Sequence, residues 1–347
     1  MKKKNELQRH LIRENATVKD ALAALNNLSG ENITLFVTDD SGTLKGSVTD
    51  GDIRRALLKE ASLESPVSVV MNRGVTAAYG KSDLKDKIAF ARQRGIKLLP
   101  LIEEGRLTRV IDLKHIHASL PVDAVLMAGG RGERLRPLTD MTPKPLLEVG
   151  GKSIIDYNVE ALERCGVENI FVTVNYLAEA IKNHFKQRDN LADIECVQEP
   201  CRLGTMGSVT LIENLKKEHI LLMNSDLLTD IDFERFFNHH IASDADVTIC
   251  AVPYTVSVPY AILRMEGDCV KGLEEKPVYN YLANAGVYLI RRNLLSRMEK
   301  GVYLDTPDFI SEMINDGRKV ISYPADGMWI DIGSPDDYRR ANEIKGR

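Results

Sequence analysis

The stretch Ala124-Val125-Leu126-Met127-Ala128-Gly129-Gly130-Arg131-Gly132-Glu133-Arg134-Leu135-Arg136-Pro137-Leu138 is an apolar run that empties into a loop with three glycines in four positions. The run has the length and apolarity of a buried β-strand. Glycine lets a backbone approach phosphate oxygens closely and turn its N–H groups toward them. Ala128, Gly129, Gly130 and Gly132 are therefore candidate nucleotide-binding positions, with Arg134 and Arg136 able to neutralise charge that amides leave. The loop is neither of the two commoner phosphate loops. No Lys-Ser/Thr follows its last glycine, and the glycine spacing of the dinucleotide fingerprint is missing. Alone it is as easily a plain turn. Thr142-Pro143-Lys144-Pro145-Leu146 shifts the balance, because two prolines should hold Lys144 extended and pre-ordered, which a surface lysine does not need.

Outward from this loop, residues 123–347 alternate strand and helix patterns. Residues 154–164, 179–185 and 233–240 have helical spacing, and 170–174, 220–223 and 247–252 are apolar runs of strand length. Such alternation predicts an α/β domain with a parallel, doubly wound sheet, its ligand beyond the carboxyl ends of the strands. Toward the N-terminus the pattern changes near Leu120-Pro121, so the predicted domains are residues 1–119 and 120–347. Within the first, two stretches share one plan of helix, strand, turn, strand and helix. In one copy these are residues 18–28, 33–37, 39–42, 44–48 and 52–58; in the other, 84–94, 97–102, 103–105, 107–111 and a short helix near His115. An internal duplication accounts for both.

At 347 residues the chain exceeds the ~100–200 residues of one domain. Its formal charge of −4 speaks against a nucleic-acid partner. No apolar run approaches the roughly 20 residues of a membrane span, and the basic residues 1–4 lead into no apolar signal segment. Cys165, Cys196, Cys201, Cys250 and Cys269 are odd in number and form no CxxC pair. Mostly apolar surroundings make them expected buried free thiols of a reducing compartment, which is the cytoplasm. His239-His240 is expected on a polar helix face, solvated.

The run from Met127 to Leu147, with Pro143-Lys144-Pro145-Leu146, resembles the signature of the sugar-1-phosphate nucleotidyltransferases. Further blocks resembling that family recur in order: Asn224-Ser225-Asp226, Glu274-Glu275-Lys276-Pro277, Asn284-Ala285-Gly286 and Trp329-Ile330-Asp331-Ile332-Gly333. The resemblance covers the whole second domain and implies a Rossmann-like α/β fold with a mixed central sheet. The implied reaction is attack of a sugar-1-phosphate oxygen on the α-phosphorus of a nucleoside triphosphate, expelling pyrophosphate. Such transfer depends on positioning and charge neutralisation.

By this resemblance, Asp226 and Asp331 hold Mg2+, a hard cation suited to carboxylates, although an Asp after a strand can equally serve a turn or an N-cap. Arg134 would contact the leaving pyrophosphate, Lys144 would bridge triphosphate and sugar phosphate, and Lys276 would bind the sugar phosphate. Glu275, Asn284 and Gly286 would shape the sugar pocket. For Glu275 and Lys276 the residues alone suggest only a solvated charged turn. The segment Val197 to Gly207 stands where the family has its base-reading loop, with Gly204 as its landmark. Counting back from Gly204 places Glu199, or by one position Gln198, at the base. A carboxylate accepts from the N1–H and N2–H₂ donors of guanine but would repel the carbonyls of a pyrimidine edge, so GTP is the expected donor. Glu133 departs from the family's usual Thr, and Ala261 after Tyr260 from its usual Gly.

Gly46-Ser47-Val48-Thr49-Asp50-Gly51-Asp52-Ile53 resembles the end of a CBS motif, and the duplication fits a tandem CBS (α+β) pair. The resemblance implies that Thr49 and Asp52 hold the ribose of an adenine nucleotide. Asp112 and His115 replace them in the second copy, so one such site at most is expected. An N-cap role for Asp52, and a purely structural or dimerising role for the pair, stay open. A regulatory pair ahead of such a transferase resembles the bacterial guanylyltransferases for glucosamine-1-phosphate, with mannose-1-phosphate the main competitor. The expected product is a nucleotide-sugar for bacterial glycan or nonulosonate synthesis, made by a homo-oligomer. Two rival readings are a catalytically silent nucleotide-binding regulator and a transferase acting on a non-sugar phosphate.

Overall fold

The two copies of the N-terminal repeat fold alike. Strand Leu11–Arg13 (β1) lies parallel to Leu35–Thr38 (β2), which pairs antiparallel with Leu44–Val48 (β3). Ala78–Tyr79 (β4), Leu98–Glu103 (β5) and Arg106–Asp112 (β6) repeat this order and these directions. A helix joins the first two strands of each copy, Val18–Asn26 in one and Lys81–Gln93 in the other. This is a computed structural model describing residues 7–28, 32–116, 119–188 and 190–346; the basic residues 1–4 and the His115 side chain lie outside it. The chain separates into two compact units, Met1–His117 and Ala118–Arg347. No helix among the described residues is long and apolar enough to cross a membrane.

In the second unit, Val122–Ala128 (β7) opens the main sheet. A small antiparallel pair, Glu148–Val149 (β8) and Lys152–Ser153 (β9), precedes Asn169–Val174 (β10), Asp193–Gln198 (β11) and His219–Asn224 (β12). Leu227–Thr229 (β13) follows, then Val247–Ser257 (β14), the hairpin Ile262–Glu266 (β15) and Cys269–Glu274 (β16), Val278–Arg291 (β17), Val320–Pro324 (β18) and Trp329–Asp331 (β19). Seven of these strands form one sheet in the order β11-β10-β7-β12-β17-β14-β18. β7, β10, β11 and β12 are mutually parallel, whereas β17 runs antiparallel between β12 and β14. The sheet is therefore mixed, and one strand departs from the purely parallel pattern that alternation alone suggests.

The inner strands β7, β10 and β12 read as nearly continuous apolar runs because both faces are covered there. Alternate residues point to opposite sides, so Ala124, Leu126 and Ala128 meet Ile155, Val159, Ile181 and Phe236 from helices on one face. Val125, with Ile220 and Leu222 of β12, meets Met206, Val209, Phe309 and Met313 on the other. Parallel β7, β10, β11 and β12 consequently deliver their following loops to the same edge.

Two expectations are corrected here. His240 is buried, not solvated: its Nδ1 lies 2.7 Å from Thr248 Oγ1 and its Nε2 lies 3.1 Å from His219 Nδ1. The phenylalanines of helix Phe233–Ala242 turn His240 inward, since it stands four residues after buried Phe236 and shares its face. Of the five free cysteines, Cys250 is buried and Cys165 and Cys196 are half-buried, but Cys201 and Cys269 are exposed.

Burial, reinforced by neighbouring His219, lowers the His240 pKa to about 4 from its ordinary 6.5. The folded protein thus keeps His240 neutral at pH values where the unfolded chain has already protonated it. The resulting stability is complete above pH 6.5 and is lost as pH falls toward 4. Unfolding by denaturant at pH 7.5 and at pH 5 should show a loss of roughly 1–3 kcal/mol. A His240→Phe variant should show a visibly shallower dependence over that range; an identical slope in the two proteins would remove His240 as its source.

Candidate active site at the carboxyl edge of the sheet

The loop after β7 is shaped by contacts that only glycine permits. Gly132 adopts φ +63°, and a Cβ there would lie 3.0 Å from Thr139 Cγ2 and 3.1 Å from Lys144 Cβ. Thr139 Oγ1 donates to Gly132 O at 2.9 Å, closing the loop, and Tyr176 Oη donates to Thr139 O at 3.2 Å. A 3₁₀ turn, Glu133–Leu135, buries Leu135 among Leu147, Val149, Ile154, Leu228, Ile330 and Ile332. That anchor aims Arg134 toward the segment after β19: a Cβ at Gly333 would come within 2.9 Å of the Arg134 guanidinium.

Lys144 is buried at 9% exposure. Its segment is not wholly extended as expected, because extended Pro143 leads into a 3₁₀ turn, Lys144–Leu146. Pro145 has a fixed φ compatible with that turn and lacks only a donor the turn does not need. The turn delivers Lys144 Nζ between two carboxylates: it donates to Asp226 Oδ2 and stands 3.7 Å from Asp331 Oδ1.

Asp226 follows β12 by two residues and Asp331 ends β19. They are neighbours because β13 pairs antiparallel with β19, matching Leu227 to Asp331, and because Ile332 N donates to Asp226 O at 3.2 Å. Ser225 fastens the turn to β7 through a 2.6 Å bond from its Oγ to Met127 O, and Asn158 Nδ2 donates to Ser225 O at 3.1 Å. Burial, and then the nearby Asp226 carboxylate, push the Asp331 pKa up. The Asp331 side chain is 41% exposed overall, yet its Oδ1 is buried, and neither that atom nor Asp226 Oδ1 has a hydrogen-bond partner among the described residues. Two orphaned carboxylate oxygens beside one ammonium form a site short of positive charge. They fit Mg2+, which takes few protein oxygens and keeps waters or substrate phosphates as its other ligands.

Across the loop, Glu199 follows β11 and is buried. Its Oε2 accepts from Leu203 N at 3.2 Å, while its Oε1 stands over Gly129, where an added Cβ would lie 2.4 Å away. Burial raises its pKa. The neighbouring Gln198 is exposed and engaged elsewhere, accepting from Lys182 Nζ at 2.6 Å. Gly204 takes φ +74° at the start of the short helix Gly204–Gly207.

On the β12 side, Gly286 sits at an irregularity of β17, with φ +70° and no room for a Cβ, which would meet Asn224 Nδ2 at 2.5 Å. Asn284 Oδ1 accepts from Gly286 N at 2.9 Å, and Trp329 Nε1 donates to Ala285 O at 2.9 Å. Glu275 and Lys276 are exposed in the turn between β16 and β17, Lys276 at φ +44°. The structure thus gathers the glycine loop, Arg134, Lys144, Asp226 and Asp331, with Glu199 beside Gly129 and Asn284-Gly286 beside Asn224. Among the described residues, no hydrogen bond or ion pair joins Glu275 or Lys276 to that group. Asn158 and Tyr176 support the site without having signalled it, since nothing in their local sequence marks a partner 67 or 37 residues away.

In the N-terminal unit, Thr49 is the N-cap of helix Asp50–Leu57 and Asp52 is its N3 residue, not the cap itself. Asp52 Oδ2 accepts from Thr49 N at 2.9 Å and Thr49 Oγ1 at 2.6 Å, while Oδ1 pairs with Arg55 at 2.6 Å.

Residues 10–59 match the family model of the CBS domain, and residues 123–346 that of the nucleotidyl transferases. The mannose-1-phosphate guanyltransferase of Schizosaccharomyces pombe is 32% identical over 227 residues, 62% of this chain and 62% of that one. The mannose-1-phosphate guanylyltransferase catalytic subunit beta of Drosophila melanogaster is 31% identical over 224 residues, 62% of this chain and 60% of that one. The chain therefore spans less than two thirds of the length of these curated relatives. The crystal structure of HddC from Yersinia pseudotuberculosis complexed with GMP-PN shares the fold, with a TM-score of 0.51 and 24% identity, covering 64% of this chain and 99% of that one. A family match running from β7 through the final helix, over a mixed sheet with its glycine loop at the carboxyl edge, makes this chain a member of the nucleotidyl transferase family.

Proposed function

We propose that the chain is a magnesium-dependent guanylyltransferase that joins GTP to a sugar-1-phosphate, mannose-1-phosphate or glucosamine-1-phosphate, and releases pyrophosphate. The observation that carries this reading is the Asp226–Lys144–Asp331 cluster beside the glycine loop, with its two unpartnered carboxylate oxygens. Bound there, Mg2+ would neutralise phosphate charge and align the reacting groups. The amides of Gly129 to Gly132 would cradle the triphosphate, and Arg134 would meet the charge that develops on the departing pyrophosphate. Lys144, already held between carboxylates, would lie where triphosphate and sugar phosphate approach. A sugar-phosphate oxygen then forms its bond to the α-phosphorus as the bond to the β-phosphate oxygen breaks. Lys276 would bind the sugar phosphate and Glu275 accept from the sugar hydroxyls, which requires their exposed turn to approach this edge.

Guanine as the base is supported by Glu199, whose Oε1 faces Gly129 while Oε2 is fixed by Leu203 N, and by Gln198 being committed to Lys182. Two relatives named as mannose-1-phosphate guanylyltransferases favour the same base and bring mannose-1-phosphate forward as the sugar. A silent regulator is disfavoured, since it has no need to hold a buried lysine between two repelling carboxylates. The free thiols support a reducing, cytoplasmic setting.

Pyrophosphate release measured with four triphosphates against four sugar-1-phosphates should be confined to GTP; a preference for UTP would overturn the base assignment. Asp331→Asn should lower turnover by about 10²–10³-fold, the scale of losing one charge-stabilising group, without lowering the Tm of the metal-free protein. Unchanged turnover, or a collapsed Tm, would assign Asp331 a structural role instead. For the N-terminal pair, titration with AMP or ATP should show a single saturable site per chain, abolished in Asp52→Ala. Absence of binding to the wild type would leave Thr49 and Asp52 as the two halves of a capping box only.

A further inference from the structure

The loop that carries Glu199 is gripped by a segment one hundred residues away. Leu304 N donates to Leu203 O, and Leu304 O accepts from both Met206 N and Gly207 N, each at 2.9 Å. Asp305 Oδ1 accepts from Thr205 N at 3.0 Å and from Thr205 Oγ1 at 3.3 Å. Thr306, itself buried, returns two bonds to the same hydroxyl, from its N at 2.8 Å and its Oγ1 at 2.9 Å. The single hydroxyl of Thr205 is thereby saturated, donating once and accepting twice. Gly204 and Gly207 make the approach possible: a Cβ at Gly204 would lie 2.6 Å from Leu304 O, and one at Gly207 2.3 Å from Val302 O.

Asp305 occupies the N-cap of helix Thr306–Asn315, yet its side chain makes no capping bond to that helix. A cap of this kind ordinarily contributes about 1 kcal/mol. Here the carboxylate turns away from its own helix to hold Thr205, and Tyr303 Oη donates to its other oxygen at 2.5 Å. Burial alone would raise the Asp305 pKa, but the bonds from Tyr303 and Thr205 hold it below the ordinary value, so the group stays charged. The grip reaches the base pocket through one residue. Leu203 takes the strap's bond on its carbonyl and, through its N–H, holds Glu199 Oε2.

We propose that Leu304-Asp305-Thr306 is a base-selectivity strap: by fixing Thr205 and Leu203 it sets where the Glu199 carboxylate stands, and so how strongly the enzyme discriminates among purine bases. The proposal rests on Glu199 reading guanine. Asp305 and Thr205 are positioning residues in it, acting only through that carboxylate.

The test compares GTP with inosine triphosphate, which lacks the exocyclic 2-amino donor that a carboxylate would accept. Initial rates with Mg2+ and the better of mannose- and glucosamine-1-phosphate are measured for the full-length wild type, Asp305→Ala, Thr205→Val and Glu199→Gln. The wild type should favour GTP. Both strap variants should shrink the GTP-to-inosine ratio of kcat/KM about tenfold, chiefly through the KM for GTP, and leave the KM for the sugar phosphate unchanged. Equal losses for the two triphosphates would show a merely structural strap and overturn the proposal. A ratio that collapses in Glu199→Gln but survives in Thr205→Val would do the same while leaving the Glu199 reading intact. A ratio unaffected by Glu199→Gln would remove that reading and the strap with it. If Asp305→Ala does not fold, Thr205→Val decides alone.

Discussion

The carboxyl edge of the second unit is organised around one buried ammonium set between two carboxylates. Asp226 and Asp331 are brought together by the pairing of β13 with β19, a backbone constraint indifferent to the charge it assembles. Two carboxylates that close would repel, and burial sharpens that repulsion because the surroundings screen it poorly. Lys144 answers it, binding Asp226 and approaching Asp331. Its own burial then dictates the neighbouring structure: a proline-bounded turn to aim it, a glycine at 132 to leave room for its stem, and the Leu135 anchor to hold the loop in place. One lysine cannot fully satisfy two carboxylates. The remaining deficit is visible as two carboxylate oxygens without a hydrogen bond, and it is the feature on which the proposed Mg2+ site rests.

The sheet explains why this cluster lies beside the glycine loop. Parallel strands with helical returns send every carboxyl end the same way, so the loops after β7, β11 and β12 meet at one rim. The antiparallel β17 enters beside β12 in the opposite direction, and its irregularity at Gly286 falls at that rim next to Asn224. Phosphate, base and sugar contacts can thus be supplied by separate loops that never pack as core. The two faces can therefore be packed mainly with apolar side chains, His240 and Thr248 being among the few polar groups taken inside.

Much of this was legible in the residues. Alternating strand and helix patterns in 123–347 announced the α/β unit, and of the loop glycines, 129 and 132 stand where a Cβ would meet Glu199, Thr139 and Lys144, whereas one at 130 would meet nothing. The repeat in residues 1–119 was readable from its spacing and reappears as two sheets of identical order. The less legible features share a physical cause. The antiparallel direction of β17 leaves no local mark, since an apolar run has the same composition in either direction. His240 looked solvated in a polar stretch, but the face shared with Phe236 and a partner on β12 took it inside. Nothing in the local sequence marks Asp305, and only the approach of Thr205 from one hundred residues earlier shows its use.

What the sequence by itself determined is the inventory and its local geometry: the strands, the glycine positions that must accept close contact, the proline-bounded lysine, and the acids that follow apolar runs. These are properties of residues and their immediate neighbours, governed by backbone freedom and periodic burial. What only the tertiary structure decided is which of them meet. It put Lys144 between Asp226 and Asp331, chose Glu199 over Gln198 to face the loop, left Glu275 and Lys276 on an exposed turn, and bound Asp305 to Thr205. Those choices follow from strand register and from the cost of burying a charge without a partner, neither of which is written at any single position in the chain.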